Sequence, residues 1–311
     1  MSDPNRPRAI ALALLVTVLW SSSWVLIRWG LDDHGLRPLG FAGLRYGLAA
    51  LVVAAWVLGR PGPRRALSSL NRRQVTTLAG LGVVFYAVTQ GAQFVAIDSQ
   101  PAATTSLLLA TTPLVVSTIS SRLLGERPTG RQVGGSVLIA GGALAYFAGQ
   151  LGFTALGLTA ALVALASNAA SALLGRSVNR GLSLPAEVIT LVSMGIGAGL
   201  LLVTGAAVEG IPDLDGAGWA IIVWLAVVNT AAAFTWWNWS MRHLTATAST
   251  GINSTMLIQI AFLAWIFLGE QPGLIQWVGM VVVSLGVLLS QLSTTRPTTL
   301  FAHRSRQIRR D

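Results

Sequence analysis

Amides, hydroxyls and indoles recur inside long apolar stretches of this chain, at spacings that put them on single helix faces. Thr17, Ser21 and Trp24 follow one another by four and then three residues, as do Tyr86, Gln90 and Gln93. Asn168 and Ser171 share a face, as do Asn229 and Trp236, and likewise Ser249, Asn253 and Met256. These are neutral hydrogen-bonding groups beside aromatic rings. Their chemistry is recognition, suited to a neutral or zwitterionic small molecule with an apolar portion. The candidate cavity residues are therefore Ser21, Trp24, Tyr86, Gln90, Gln93, Thr112, Asn168, Asn229, Trp236 and Asn253.

Each has a structural alternative. Serine and threonine in apolar helices, such as Thr17, Ser21 and Thr105, also bond back to their own carbonyls or permit close packing. The three asparagines can tie helices together. Trp236-Trp237-Asn238-Trp239 stands close to Arg242, where an interfacial aromatic belt is expected. Gln90 and Gln93 fit packing least well, because a side-chain amide has four hydrogen-bonding positions to satisfy.

Four further residues read as gating or structural: Arg45, Pro113, Glu126 and Glu270. Arg45 lies on the order of 10 Å along its helix from Pro38, at 1.5 Å per residue. A guanidinium there can attract a carboxylate or gate an external vestibule, or it can pair with Asp98 or snorkel outward. Pro113, after Thr111-Thr112, can kink a helix and free carbonyls for a ligand or a hinge. Glu126 and Glu270 are placed to cap helix starts.

Catalytic and metal chemistry find no support. The chain has no cysteine, and His34, His243 and His303 are scattered without ligand spacing. No nucleophile–base pair and no mid-span carboxylate is present, so neither an enzyme nor a bound cofactor or metal is expected.

Composition identifies the solvent. Hydrophobic residues make up 53%, charged residues only 10%, and mean hydropathy is +0.66, against about a quarter charged in soluble domains. Apolar runs near 9–30, 38–59, 74–97, 100–121, 132–149, 153–175, 185–208, 217–240, 244–268 and 273–292 predict ten transmembrane helices. The first reads as a span and not a cleaved leader, because it continues to Trp29. Gly134-Gly135, Gly141-Gly142, Gly195, Gly197 and Gly199 mark close helix contacts.

The net charge of +10 is carried by 21 basic residues, all arginine. All except Arg28, Arg37 and Arg45 fall in the tails or in gaps after an even number of crossings. This pattern predicts cytoplasmic N- and C-termini, and it argues against nucleic acid as the partner.

Leu124-Gly125-Glu126-Arg127-Pro128 returns as Leu268-Gly269-Glu270-Gln271-Pro272, an offset of 144 residues. The fold expected is all-α and integral to the membrane, with ten helices forming two inverted five-helix repeats. Residues 1–149 form the first repeat, 150–292 the second, and 293–311 a basic cytoplasmic tail. Five is odd, so the second repeat enters the membrane upside down.

With Trp20-Ser21-Ser22-Ser23-Trp24, Leu44-Arg45-Tyr46, Pro101-Ala102 and Thr112-Pro113-Leu114, these junctions make the chain resemble the drug/metabolite transporter superfamily, in its ten-helix EamA-type branch of bacterial exporters. The resemblance implies export of small metabolites, chiefly amino acids or related compounds, by alternating access. It implies a cavity among helices 1, 3, 4, 6, 8 and 9, and residence in the bacterial inner membrane. The partners are a small-molecule substrate and the bilayer, with the protein a monomer or homodimer. One departure is visible: Pro113 corresponds by the offset to Leu257, so a break in the ninth span would lack its proline. The alternatives are a multidrug efflux carrier, a non-transporting scaffold and a lipid-modifying enzyme.

Overall fold

Proline and asparagine punctuate the apolar runs and set where helices begin. In the computed structural model, residues 4–100, 105, 108–123, 128–146, 148, 154–210, 212–253, 255–268 and 273–291 are described. Glu126, Glu270 and the tail from residue 293 lie outside them. Helix α1 (Arg6–Asp33) and α2 (Pro38–Leu58) each carry proline in the first turn, where its missing N–H costs nothing. The short α3 (Pro61–Ser68), which the span reading treats as loop, buries none of its residues.

The third span is continuous but irregular: α4 (Arg72–Gly82), a π-helical turn (Val83–Val88) and α5 (Thr89–Ser99). Next come α6 (Thr112–Leu123), α7 (Gly130–Tyr146), α8 (Ala155–Gly181) and α9 (Ala186–Val208). The irregularity then recurs as α10 (Gly216–Ala226), a π-helical turn (Val227–Ala232) and α11 (Ala233–Ser240). The chain continues through α12 (Ala246–Asn253), α13 (Met256–Leu268) and α14 (Leu274–Gln291).

Six of the described helical stretches are long and apolar enough to cross a bilayer: α1, α2, α4–α5, α8, α9 and α10–α11. The other four expected spans coincide with shorter or interrupted helices.

The offset of 144 residues also relates the irregular turns along the chain. Val83 maps onto Val227, so one π-helical turn falls on the other. The start of α6 at Thr112 maps onto the start of α13 at Met256. Both helices follow an interruption, and a threonine marks it each time. Thr111 Oγ1 donates to the Leu108 carbonyl and Thr255 Oγ1 to the Ile252 carbonyl, both at 2.7 Å. Their N–H groups bond the same carbonyls at 3.1 and 3.0 Å. The ninth span is thus interrupted with no proline at the position that matches Pro113, Leu257. A tight turn, with the backbone N–H bonded to the carbonyl three residues back, marks both breaks, and Pro113 sits in the first turn of α6, where it is tolerated.

Helices of the two halves interleave. The most extensive pairings are α7 with α14 and α2 with α9, and each joins one half to the other. Glycine permits their approach. A Cβ on Gly142 would stand 2.7 Å from the Gly279 carbonyl oxygen, and one on Gly279 would stand 2.6 Å from that of Gly142. Gly286 meets the Gly135 carbonyl in the same way, at 2.6 Å. In the α2–α9 crossing, a Cβ on Gly205 would lie 2.7 Å from the Gly40 nitrogen. Gly197 faces the Gly82 carbonyl, whereas Gly141, Gly195 and Gly199 face open space, so they are not contact points.

At one end of the bundle, Glu209 accepts from the Leu39 and Gly40 N–H groups at 2.9 and 2.7 Å, a carboxylate on the start of α2. Beside it Asp215 caps α10 by accepting from Gly218 N–H at 2.7 Å, and it meets His34 Nδ1 at 3.0 Å. The Gly218 N–H, then His34, hold its carboxyl below the usual aspartate range.

Two outcomes are expected. Gly142→Leu or Gly279→Leu should destabilise the protein by about 1–3 kcal/mol through overpacking, read as a lower midpoint in detergent melts, while Gly141→Leu should be near neutral. Because the folded pKa of Asp215 is depressed, its stabilising contribution is present above the unfolded value and is lost as pH falls through the folded one. Asp215→Asn keeps the cap and should flatten that acidic limb of melting midpoint against pH.

Candidate functional site

The two π-helical turns and the two threonine breaks flank one internal space. A cavity of about 130 Å³ is lined by Trp20, Ser23, Trp24 and Ile27 of α1, and by Arg45 and Tyr46 of α2. Phe85, Gln90, Gln93 and Phe94 contribute from the third span, with Leu109 and Ala110 just before the break. Asn168, Phe234, Asn253, Met256 and Ile260 complete it. At ~10–15 Å³ per water-sized position, this holds on the order of ten such positions, a small organic molecule. Helix α2 thus joins the helices expected to form the wall.

Of the candidate residues, Trp24, Gln90, Gln93, Asn168 and Asn253 meet here, and Arg45 with them. Gln90 Oε1 accepts from Tyr46 Oη at 2.7 Å, leaving its amide nitrogen available. No side-chain hydrogen bond to Gln93 forms among the described residues, and Asn168 Nδ2 donates to Thr112 Oγ1 at 3.3 Å. Thr112 is buried behind Asn168 and supports the wall without lining it.

The remaining candidates are elsewhere. Tyr86 is fully buried in an aromatic cluster around Phe234, with ring centroids 5.1 Å from Phe234 and 5.8 Å from Tyr46. Its spacing from Gln90 predicted a shared face, but the π-helical turn between them rotates the helix out of phase. The second π-helical turn separates Asn229 from Trp236 in the same way. Asn229 turns inward, its Nδ2 within 2.6 Å of the Leu19 carbonyl and 2.9 Å of Ser23 Oγ. Trp236 points outward, 38% exposed. Ser21 is buried against α13, where its hydroxyl lies 2.8 Å from Gln259 Oε1 and 2.7 Å from the Thr17 carbonyl. Gln259 Nε2 donates to Thr17 Oγ1 at 3.1 Å. Helical spacing does not single out Gln259, but it is the one amide in the apolar run Met256–Leu268 and is findable on that ground.

Also missed were the aromatic walls. Trp20 packs on Phe234 and Trp237 with centroids 4.8 and 5.1 Å apart, and Phe85 lies 5.4 Å from Phe234. Such rings read as ordinary apolar residues in a membrane helix. Trp20, Phe85, Asn168 and Asn253 also wall a smaller void of about 40 Å³ that continues to Ser171, Trp237 and Met241. These four side chains form the partition between the two spaces.

Arg45 is 3% exposed. Its Nε donates to Thr230 Oγ1 at 2.8 Å, one terminal nitrogen lies 3.4 Å from Ser23 Oγ, and its Cζ is 5.3 Å from the Tyr46 ring centre. Thr230 belongs to the second π-helical turn and donates in turn to the Leu225 carbonyl at 2.7 Å. The pairing with Asp98 weighed above is not formed, because Asp98 is exposed. Among the described residues no acidic side chain lines the cavity.

A multi-pass helical membrane protein with a small chamber of amides and aromatic rings between duplicated halves is the architecture of a solute transporter. The sequence model of the EamA-like transporter family matches residues 7–148 and again 155–292, and the chain belongs to that family. It is similar to a probable terminal-alkyne amino-acid exporter of Streptantibioticus cattleyicolor, with 29% identity over 91% of this chain and 93% of that one. It is also similar to solute carrier family 35 member E4 of Rattus norvegicus, with 27% identity over 93% of this chain and 81% of the relative. A probable amino-acid metabolite efflux pump of Escherichia coli K12 shares 32% identity over 43% of this chain and 40% of that one. One solved crystal structure superposes with a TM-score of 0.75 at 19% identity, covering 92% of this chain and 99% of the other, which establishes a shared fold.

Substitutions should separate wall from scaffold. Trp236→Ala should leave solute exchange within about twofold of wild type, as an outward surface change does. Asn229→Ala should lower the detergent melting midpoint, at about 1 kcal/mol for lost interhelical bonds, without changing which solutes compete.

Proposed function

We propose that this protein exports small amino acids or related metabolites across the bacterial cytoplasmic membrane by alternating access. The observation that carries the reading is the chamber itself: Gln90, Gln93, Asn168 and Asn253 set among Trp20, Trp24, Phe85 and Phe234. Polar side chains are costly at membrane depth unless they face protein or a cavity. Amides interleaved with rings match a zwitterion with an apolar side chain. Two relatives named as amino-acid exporters or efflux pumps support the same cargo class.

Ten spans arranged as two inverted repeats, 1–149 and 150–292, account for the recurrence of both irregular turns and both breaks at one offset. An inverted pair has a pseudo-twofold axis in the membrane plane, so exchanging the conformations of its halves moves the opening from one face to the other. The threonine breaks at Thr111 and Thr255, both beside the chamber, are the hinges of that exchange. The arginine distribution puts both termini in the cytoplasm. With no carboxylate in the described cavity wall, cargo flows down its own gradient without a dedicated proton relay.

The test is counterflow of labelled amino acids in liposomes holding the purified protein. Exchange of one chemical class is expected. It should drop about tenfold or more in Gln93→Ala and Asn253→Ala, as loss of buried hydrogen-bonding groups predicts, and persist when residues 296–311 are deleted. Exchange of lipophilic cations with no exchange of amino acids would overturn the reading in favour of drug efflux.

A further inference from the structure

Resting on that reading, we infer that Arg45 is the residue that recognises the carboxylate of the cargo, so the chamber selects for molecules bearing that group. Arg45 is buried, it lines the cavity, and among the described residues its side-chain partners are the hydroxyls of Thr230 and Ser23 and the face of Tyr46. Neutral hydroxyls leave its charge uncompensated among the described residues. One terminal nitrogen makes no hydrogen bond among the described residues.

An uncompensated buried cation is strongly destabilising to a fold, and a membrane interior worsens the cost. The arrangement makes physical sense when a diffusible anion completes it. A carboxylate matches the planar fork of guanidinium N–H groups, and it is the anionic group of the cargo class proposed above. The surroundings fit the remainder of such a molecule. Asn253 and Trp20 belong to the wall, and their Oδ1 and Nε1 atoms make no hydrogen bond among the described residues. The first is an acceptor suited to an ammonium and the second a donor suited to an oxygen. The rings supply an apolar face.

Thr230 is the positioning residue. Its hydroxyl bridges the Leu225 carbonyl five residues back and the Arg45 Nε. Regular α-helix offers no i−5 carbonyl to such a hydroxyl, so the π-helical turn of the eighth span is what fixes the guanidinium against the cavity.

The experiment uses the full-length protein in liposomes loaded with a labelled apolar amino acid. The competitors are the same amino acid, its amide, its methyl ester, the amine lacking the carboxyl, and the carboxylic acid lacking the amine. Wild type should prefer both carboxylates over the amide, ester and amine by about 10-fold to 100-fold, the worth of a charge-assisted hydrogen bond. Arg45→Gln should erase that preference while retaining exchange of the amide, which shows that it folds. Arg45→Lys should recover part of it. Thr230→Val should reduce it and Thr230→Ser restore it.

Equal competition by acid and amide in wild type overturns the inference while leaving amino-acid export intact. So does an undiminished preference in Arg45→Gln. If no amino acid exchanges but carboxylic acids do, dependent on Arg45, the amino-acid reading falls and the carboxylate site stands. If only amines or uncharged solutes exchange, both fall.

Discussion

Close backbone contact between helices of opposite halves is the constraint on which everything else rests. In lipid, helices gain little from burying apolar surface against one another, so association depends on packing and on the hydrogen bonds that packing permits. Here Gly142 meets Gly279 and Gly135 meets Gly286, while Gly40 and Gly205 bring α2 against α9. These crossings stitch the halves together. Beside α2, which takes part in one of these crossings, the helices α1, α5, α8, α11, α12 and α13 surround the cavity.

Within that frame the irregular turns do the positioning. A π-helical turn shifts the phase of all that follows it, so the polar residues of one span face different ways. Tyr86 joins the aromatic cluster while Gln90 and Gln93 face the chamber. Asn229 bonds α1 while Trp236 turns outward. Thr230, inside the second such turn, holds Arg45. The threonine breaks at 111 and 255 bring Ala110 and Asn253 to the wall. Duplication set a pair of such features, and divergence gave each copy its own work. Gln90 in one half stands where Phe234 stands in the other, and one is polar wall while the other is the hub of the rings.

The transporter class and the cargo class rest on different parts of the molecule. The family is carried by the whole chain, through two matches that span nearly all of it. The proposed cargo class rests on the handful of side chains that line the cavity. Their identities can change without disturbing the glycine crossings, which is why a fold shared at 19% identity says nothing of what is moved.

The sequence by itself determined the solvent, the helical class, the duplication and the presence of buried amides. Each follows from composition or from a period readable along the chain: 53% hydrophobic residues, apolar runs of spanning length, and an offset of 144 residues between matching junctions. Trp24, Gln90, Gln93, Asn168 and Asn253 were legible as cavity residues because a polar group at membrane depth demands a reason. Only tertiary structure decided that Tyr86, Asn229 and Trp236 face elsewhere. A regular 3.6-residue period cannot anticipate a π-helical turn, whose extra residue is invisible in the local sequence. Nor did the sequence point to the partners of Arg45: it offered Asp98 or an outward reach, and the structure gives Thr230 and Ser23 instead. The crossing of α2 past the second π-helical turn made that choice, and it left the guanidinium facing the chamber with hydroxyls for company.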